Sequence, residues 1–247
     1  MAILVQREFT VALADRPRFE ELSRTGVWPS MLRYGSLMVG YGFWAFGGAG
    51  DVVITHSVYR DMDHWLGTRV GGALETDPRI REQASEFADA KSARPPLIAH
   101  SRARMLELDD HVIDLDAKPR TADDPLAVAP KNFGRGSVIS ELCYELTDSA
   151  HRQQFEQLSH EHIWPWLETQ GARLIAFGRD PLGPAQQIVT LFAFSSLEEW
   201  YRLSRPTTEL HPPQEATDAW NERHRLIASQ SGRLLRVATD WGTPATL

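Results

Sequence analysis

The sequence FEELSRTGVWPSMLRYGSLMVGY at residues 19–41 recurs without gaps as FEQLSHEHIWPWLETQGARLIAF at residues 155–177. Matching positions are a constant 136 residues apart, and both segments contain a Trp-Pro pair, at 28–29 and at 164–165. Such a pair is rare, so its recurrence in register inside a matching helical pattern indicates a tandem duplication. Two copies are too few for an open solenoid, which needs about three or more repeats to bury its faces. We therefore expect two modules that pack on each other.

Both copies predict the same order of secondary structure. In the first copy, the apolar periodicity and turn residues predict strands at 3–11, 36–46, 51–59 and 98–108 and helices at 17–34 and from 61 onwards. In the second copy, they predict strands at 138–146, 174–179, 187–194 and 232–239 and helices at 149–170 and 197–227. This β-α-β-β-α-β order is that of the ferredoxin-like unit.

The order of elements indicates an α+β fold with three parts along the chain. Residues 1–108 are predicted to form ferredoxin-like module 1, and residues 137–247 to form ferredoxin-like module 2. Residues 109–136 are acidic, contain proline and glycine and lack a clear period, which predicts a linker. Helices cover only one face of such a four-stranded sheet. The bare faces of the two modules are therefore expected to pack sheet to sheet, as a pseudo-dimeric α+β barrel within one chain.

The composition is that of a globular protein, and its charge does not favour binding of nucleic acid. The chain has 247 residues, 42% of them hydrophobic and 24% charged, and a formal net charge of −7. Nucleic-acid binding needs clustered Lys and Arg, so no such partner is expected. Cys143 is the single cysteine, which allows no intramolecular disulfide and fits a reducing cytoplasm. The sequence shows neither a signal peptide nor an apolar stretch of about 20 residues, so we expect a soluble cytoplasmic protein without a membrane partner.

Several stretches resemble the NIPSNAP family. They are ELCY at 141–144, GARLIAF at 171–177, QIVTLFAF at 187–194 followed by Trp200, and IASQSGRLLR at 227–236. The first copy is similar but more diverged. The resemblance implies membership of the dimeric α+β barrel superfamily, which also contains antibiotic-biosynthesis monooxygenases and small-molecule isomerases and cyclases. No catalytic motif is general to that superfamily, so the resemblance assigns no active-site residue.

The two copies differ sharply in volume at a few positions that face the interface between helix and sheet. Gly26, Ser30 and Ser57 stand where the second copy has a histidine, a tryptophan and a phenylalanine. Protein interiors are packed to a density of about 0.75, so either neighbouring side chains fill this space or the first copy contains a pocket. The residues predicted to bind a substrate in that pocket are Gly26, Trp28, Ser30, Tyr34, Trp44, Phe46 and Ser57.

His56 and Tyr59 are the candidate catalytic residues, and either one would serve as the base or as the hydrogen-bond partner of the base. An imidazole titrates near neutral pH and suits proton transfer, although a hydrogen-bonded core histidine is the simpler alternative. Adjacent strand residues such as His56 and Ser57 point to opposite faces of a sheet, so they share one cavity only where a bulge intervenes. No metal site is predicted, because His160 and His162 have a spacing that does not bring them together on a helix.

Two classes of function remain open. The first is a small-molecule tailoring enzyme of secondary metabolism that acts on an apolar aromatic or polyketide-like substrate. It would be an oxygenase that lets an activated phenol or anthrone-like carbanion react directly with oxygen, or else an isomerase or cyclase. No fingerprint of a dinucleotide site is present, so no tightly bound cofactor is predicted, and reduced flavin as a diffusible co-substrate stays open.

The second class is a non-catalytic NIPSNAP-like ligand-binding or scaffold protein. A large exposed apolar patch would favour it, whereas an enclosed cavity with a few polar groups would favour an enzyme. The volume changes concentrate in one copy, which favours the enzyme. Members of this superfamily often associate, so the resemblance also leaves a homodimer open.

Overall fold

Eight antiparallel strands dominate the computed structural model, which describes residues 1–85, 87–111, 134–205 and 210–239. The strands are β1 (Ile3–Thr10), β2 (Leu37–Phe46), β3 (Val52–Tyr59), β4 (His100–His111), β5 (Val138–Leu146), β6 (Arg173–Arg179), β7 (Gln187–Phe194) and β8 (Ile227–Val237). They form a closed barrel in the order β1-β3-β2-β8-β5-β7-β6-β4. Each module contributes four adjacent strands, so the predicted pseudo-dimeric α+β barrel of two ferredoxin-like modules is confirmed.

The barrel closes at two seams between the modules, and a glycine lies at each one. Strand β2 pairs with β8 at one seam, and β4 pairs with β6 at the other. A Cβ atom on Gly42 would lie 1.9 Å from the carbonyl oxygen of Arg236, and one on Gly178 would lie 2.1 Å from that of Glu107. Gly42 and Gly178 are equivalent positions of the two copies, at the same spacing of 136 residues. Absence of a side chain at this position lets the strands meet at both seams.

The first helix of each module contains a π-helical turn just before the repeated Trp-Pro pair. In module 1, α1 (Arg16–Leu22) and α2 (Trp28–Arg33) flank the turn Ser23–Val27; in module 2, α7 (Arg152–Leu158) and α8 (Trp164–Thr169) flank the turn Ser159–Ile163. The Trp28 N–H donates to the Ser23 carbonyl, five residues back. A proline has no N–H and its ring clashes inside an α-helix, so the wider turn accommodates it.

The remaining helices complete the outer layer of each module. In module 1 they are α3 (Met62–Gly67), α4 (Ala73–Thr76), α5 (Pro78–Ser85) and α6 (Ala88–Ala93), and in module 2 they are α9 (Leu197–Leu203) and α10 (Gln214–Arg225). Each of these layers covers the outer face of its own sheet. No helix among the described residues is both long and apolar enough to cross a membrane.

A buried arginine fixes the π turn in both modules. The Arg94 Nε donates to the Ser23 Oγ at 2.8 Å, and the Arg223 Nη1 donates to the Ser159 Oγ at 3.1 Å. Each guanidinium also lies over a phenylalanine of the helix just before the π turn. In module 1 the Arg94 guanidinium is 4.1 Å from the Phe19 ring centre. These two arginines occupy equivalent places, so they belong to the common framework of the modules.

The barrel interior is filled by apolar side chains around a layer of paired charges. The apolar part includes Leu4, Ile54, Leu106, Ile139, Leu191 and Leu235. The charged layer joins the modules, because the Arg233 guanidinium reaches Glu8 at 2.6 Å and Glu141 at 2.7 Å. The Arg104 Nη1 lies 3.0 Å from the same Glu141 carboxylate. Burial alone would raise the pKa of Glu141, but Arg233 and the Gln6 side chain outweigh it, so this pKa is lowered.

Two strand boundaries differ from the sequence expectation by three residues or more. Strand β4 runs to His111, so the first residues of the predicted linker 109–136 belong to a strand that pairs with β6. Strand β8 begins at Ile227 rather than at residue 232, because it continues to pair with β5 beyond the barrel core. Residues 112–133 of the predicted linker lie outside the described residues.

We expect Glu141→Ala to lower the free energy of unfolding by about 3 kcal/mol, because Arg104 and Arg233 would then lose their shared carboxylate. Urea denaturation at neutral pH measures the change. The control is Glu145→Ala on the same strand, where the exposed carboxylate accepts one hydrogen bond from Ser229. A change of about 0.5 kcal/mol or less is expected there. Equal losses in the two variants would show that the charged layer contributes nothing specific.

Candidate functional site

A cavity of about 200 Å³ lies between the helices and the sheet of module 1. It is on the outer face of β1, β2 and β3, away from the barrel interior. Its apolar walls include Phe9, Val27, Trp28, Met31, Leu32 and Met38. Its polar groups come from Arg7, Ser36, Thr55, Ser57, Tyr59, Arg69 and Arg94. An apolar concavity with a few convergent polar groups is the usual form of a small-molecule site.

The alternation of strand β3 explains which residues reach this cavity. Successive side chains of a strand point to opposite faces. Thr55, Ser57 and Tyr59 face the helices and line the cavity, whereas Ile54 and His56 face the barrel interior. The ladder between β1 and β3 is continuous from Ile3 to Thr10, so no bulge interrupts this alternation.

Module 2 fills the space that module 1 leaves open. The ladders pair Arg7 with Thr55 in module 1 and Leu142 with Thr190 in module 2, which makes Arg7 and Leu142 equivalent. By the same registers, Ser57 and Tyr59 correspond to Phe192 and Phe194. Leu142, Phe192 and Phe194 all pack into the helix-facing core of module 2. Module 1 thus has an arginine, a serine and a tyrosine in place of apolar side chains, and the exchange of Phe192 for Ser57 is the one of the three that removes volume.

Two arginines bring positive charge to the cavity. Burial lowers the pKa of Arg7, and the like charge of Arg69 lowers it further, against a smaller opposite effect of Tyr59. The Arg69 guanidinium lies 5.1 Å from the Trp65 ring centre, and its Nη2 donates to the Thr68 Oγ1 at 3.0 Å. Within the described part of the chain, no carboxylate oxygen lies within 4.0 Å of either guanidinium.

Tyr59 is a neutral hydrogen-bonding phenol at physiological pH. Its side chain is buried, and this burial raises the pKa of its hydroxyl, although Arg69 and Arg7 oppose the shift. The side chains of Arg69 and Ser57 lie close enough to this hydroxyl to oppose the rise of its pKa as well. A phenol with a raised pKa is a poor general base. Its chemical capacity here is to donate a hydrogen bond to an oxygen of a ligand.

The structure brings only some of the predicted residues to the cavity. Trp28, Ser57 and Tyr59 line it. Gly26 instead faces α6, where an added Cβ would lie 2.1 Å from the Ala90 Cβ, so a neighbouring helix already fills that gap.

The other predicted residues lie outside the cavity. The Ser30 Oγ donates to the Val27 carbonyl at 2.8 Å, which keeps this side chain within the helix. Tyr34 is buried at the end of α2, beneath the Lys91 ammonium. Trp44 is part of the barrel core, 4.3 Å from the Arg233 guanidinium, and Phe46 is 58% exposed at the end of β2.

His56 is separated from Tyr59 by the sheet and lies among barrel residues. Its Nε2 accepts a hydrogen bond from the Gln6 Nε2 at 2.8 Å. Its Nδ1 has no hydrogen-bond partner among the described residues. Burial lowers the pKa of His56 to about 4, so the ring is neutral at physiological pH. The two predicted catalytic residues therefore cannot act together on one ligand.

Arg7 and Arg69 line the cavity but were not among the residues predicted from the sequence. A signal for Arg7 was present, since this arginine stands on the helix-facing side of a strand where the second copy has Leu142. Extending the comparison of the copies to the first strand would have found it. Among the described residues, no cluster of three or more His, Cys, Asp or Glu side chains could hold a metal ion.

No protein family model and no curated protein matches the chain. Its fold is similar to that of a putative monooxygenase from Lactobacillus acidophilus NCFM, at a TM-score of 0.60 and 13% identity over 97% of each chain. An anthrone oxidase-like protein matches 96% of this chain and 91% of its own, at a TM-score of 0.50 and 12% identity. A NIPSNAP family protein from Agrobacterium tumefaciens str. C58 covers 40% of this chain and 90% of its own, at 19% identity and a TM-score of 0.34. At these identities, the full-length matches show only the fold, which is a pseudo-dimeric α+β barrel formed by one chain.

We expect stability to fall as the pH decreases through the window set by His56. The folded-state pKa of about 4 lies below the value of ~6.5 in an unfolded chain. Between these two pH values the histidine binds a proton in the unfolded chain but stays neutral in the folded protein. The contribution of His56 to the free energy of unfolding is therefore intact above pH ~6.5 and is lost towards pH ~4. The free energy of unfolding should drop by about 2 kcal/mol between pH ~7 and pH ~5.

The variant His56→Gln should remove this drop, because glutamine does not titrate. Urea unfolding of both proteins at the two pH values measures it. The same pH dependence in wild type and variant would show that other groups cause the loss, since only position 56 differs between the two proteins.

Proposed function

We propose that the protein is an oxygenase that acts on a small aromatic substrate held in the module 1 cavity. The observation that carries this proposal is the difference between the modules. Module 1 has an open space with Arg7, Ser57 and Tyr59 where module 2 is filled by apolar side chains. A chain that needed only to close its barrel would gain stability by filling both spaces. The monooxygenase-like fold of full-length structural neighbours supports the same class of activity.

The dimensions of the cavity limit the substrate. A cavity of about 150 Å³ lined by apolar side chains holds one benzene ring. The module 1 cavity of about 200 Å³ therefore suits one ring or two fused rings. Trp28 and Phe9 form aromatic walls that would contact the faces or edges of these rings. A third ring would extend through the open side of the cavity.

The polar groups suit an oxidation in which the substrate itself supplies the electrons. An activated phenol or anthrone loses a proton to solvent, and the resulting anion reacts with O₂ to form a C–O bond at a ring carbon. The resulting peroxide anion takes a proton back from solvent, and the hydroperoxide then loses water and leaves a carbonyl. One O₂ thus yields one carbonyl oxygen and one water. Arg7 and Arg69 stabilise the anion, and the apolar walls keep bulk water from it. Reduced flavin remains the alternative electron source for a less activated substrate.

The test is oxygen consumption with 1-naphthol and with anthrone, followed by identification of the quinone product. Both conversions balance as substrate plus O₂ giving quinone plus water. We expect consumption above the protein-free rate without added cofactor, and one labelled oxygen in the product when ¹⁸O₂ is used. The assay is repeated with reduced flavin. No consumption above the protein-free rate with either electron source would overturn the proposal.

We expect Ser57→Phe to lower turnover and binding of 1-naphthol by about tenfold or more, because it places the side chain of Phe192 in the cavity. The melting temperature should stay the same or rise, since the new ring fills empty apolar space. Native mass spectrometry and the oxygen electrode measure the two effects. The control is Ser231→Phe, at an exposed position of β8. Full activity of Ser57→Phe would place the reaction elsewhere.

A non-catalytic binding or scaffold protein is the second candidate, and one observation favours it. Phe46, Leu197 and Tyr201 are 58%, 44% and 51% exposed and line one shallow surface depression together with Trp200. Contiguous exposed apolar residues often mark an interaction surface, including one between two copies of a chain. Binding of 1-naphthol without oxygen consumption would favour this candidate. Conversion of a ligand without oxygen would instead favour the isomerase or cyclase.

A further inference from the structure

We propose that Arg7 and Arg69 form an anion-binding pair that makes the cavity selective for aromatic substrates carrying an ionised oxygen. The inference rests on the proposed function and specifies the substrate class of the same cavity. The ligand is a phenolate or enolate whose oxyanion lies at the two guanidinium groups. Its ring lies against the apolar walls formed by Trp28 and Phe9.

The pair differs in its partners from the two arginines of the charged layer inside the barrel. Arg104 and Arg233 in the barrel each contact a carboxylate within 3.1 Å. Both arginines line the cavity, and Arg69 lies close enough to Arg7 for its like charge to lower the pKa of Arg7. The described residues supply no carboxylate within ion-pair distance of either guanidinium. Two like charges at a partly buried site are unfavourable unless an anion joins them. A bound oxyanion would remove that repulsion.

Arg69 and Tyr59 both line the cavity and carry hydrogen-bond donors. The Arg69 Nε is buried and has no hydrogen-bond partner among the described residues. The Tyr59 hydroxyl adjoins Arg69 and stays protonated, so it can donate a third hydrogen bond. Guanidinium groups bind planar oxyanions through paired N–H donors, and such charge-assisted bonds are about twice as strong as neutral ones. The arrangement therefore favours an anionic oxygen over a neutral hydroxyl or ether.

The duplication shows that the fold does not require this pair. Arg7 corresponds to Leu142, and Arg69 corresponds to Ser204 when the copies are aligned through Trp65 and Trp200. Arg94 also lines the cavity, but its counterpart Arg223 makes the same contacts in module 2. The positive charge of the pair is confined to the cavity, since the chain as a whole has a net charge of −7.

The test uses 4-nitrophenol, a single ring whose anion is yellow and whose neutral form is not. Titration of the protein–probe mixture reports the pKa of the bound phenol directly in the wild-type protein. We expect this pKa to lie about 1 to 2 units below that of the free probe. The neutral isostere 4-nitroanisole, measured by calorimetry, should bind about tenfold more weakly or worse.

The variants Arg7→Leu and Arg69→Ser introduce the residues that module 2 tolerates at these positions. Each should weaken binding of the 4-nitrophenolate anion by about tenfold, return the bound pKa towards the free value and leave 4-nitroanisole binding unchanged. The control is Arg205→Leu, which removes a positive charge whose exposed side chain bonds the Tyr201 hydroxyl outside the cavity. It should change neither probe.

Absence of 4-nitrophenol binding, or binding in the neutral form with no pKa shift, would overturn the proposal. So would anion binding that Arg7→Leu and Arg69→Ser leave intact. The outcomes also separate this inference from the oxygenase. Selective anion binding without oxygen consumption would retain the pair and overturn the oxygenase. Oxygen consumption from 1-naphthol that is unchanged in both variants would do the reverse.

Discussion

Each four-stranded sheet of this protein has helices on one face only, and burial of the two bare faces against each other determines the rest of the structure. The duplication supplies both sheets in one chain, and they close into a barrel at two equivalent seams. Gly42 and Gly178 permit the close approach of strands at those seams. The interior is then filled by side chains, as in other eight-stranded barrels. The module 1 cavity lies outside this interior, between a sheet and its helices.

The charged layer inside the barrel connects the modules in a defined register. Arg233 of β8 reaches Glu8 of β1, and it shares Glu141 of β5 with Arg104 of β4. A buried ion pair often contributes less to the free energy of unfolding than apolar residues of the same volume in its place. Ion pairs do, however, specify the register of the strands, because a shift of β8 by one residue would turn Arg233 out of the barrel. The neutral His56, bonded to Gln6, belongs to the same layer.

The sequence was sufficient to predict the fold because the repeated segment is long and its Trp-Pro pair is rare. The site was predicted less well, for three physical reasons. Gly26 marks a loss of volume that Ala90 of a neighbouring helix compensates, and this tertiary contact has no signature in the sequence. His56 and Tyr59 are three residues apart on β3, so their side chains point to opposite faces of the sheet. Arg7 was not predicted, because an arginine in place of Leu142 produces no loss of side-chain volume between the copies.

The copies also distinguish arginines that hold the framework from those that are free to bind. Arg94 and Arg223 fix a serine of the π turn in the same way in both modules, so they are part of the shared architecture. Arg7 has no equivalent in module 2, where Leu142 packs into the core. Module 1 also has Ser57 where module 2 buries Phe192, and truncating a buried phenylalanine costs about 3–5 kcal/mol in a closed core. A ligand that binds only the folded state returns part of this loss by mass action, so the cavity would be most stable when occupied.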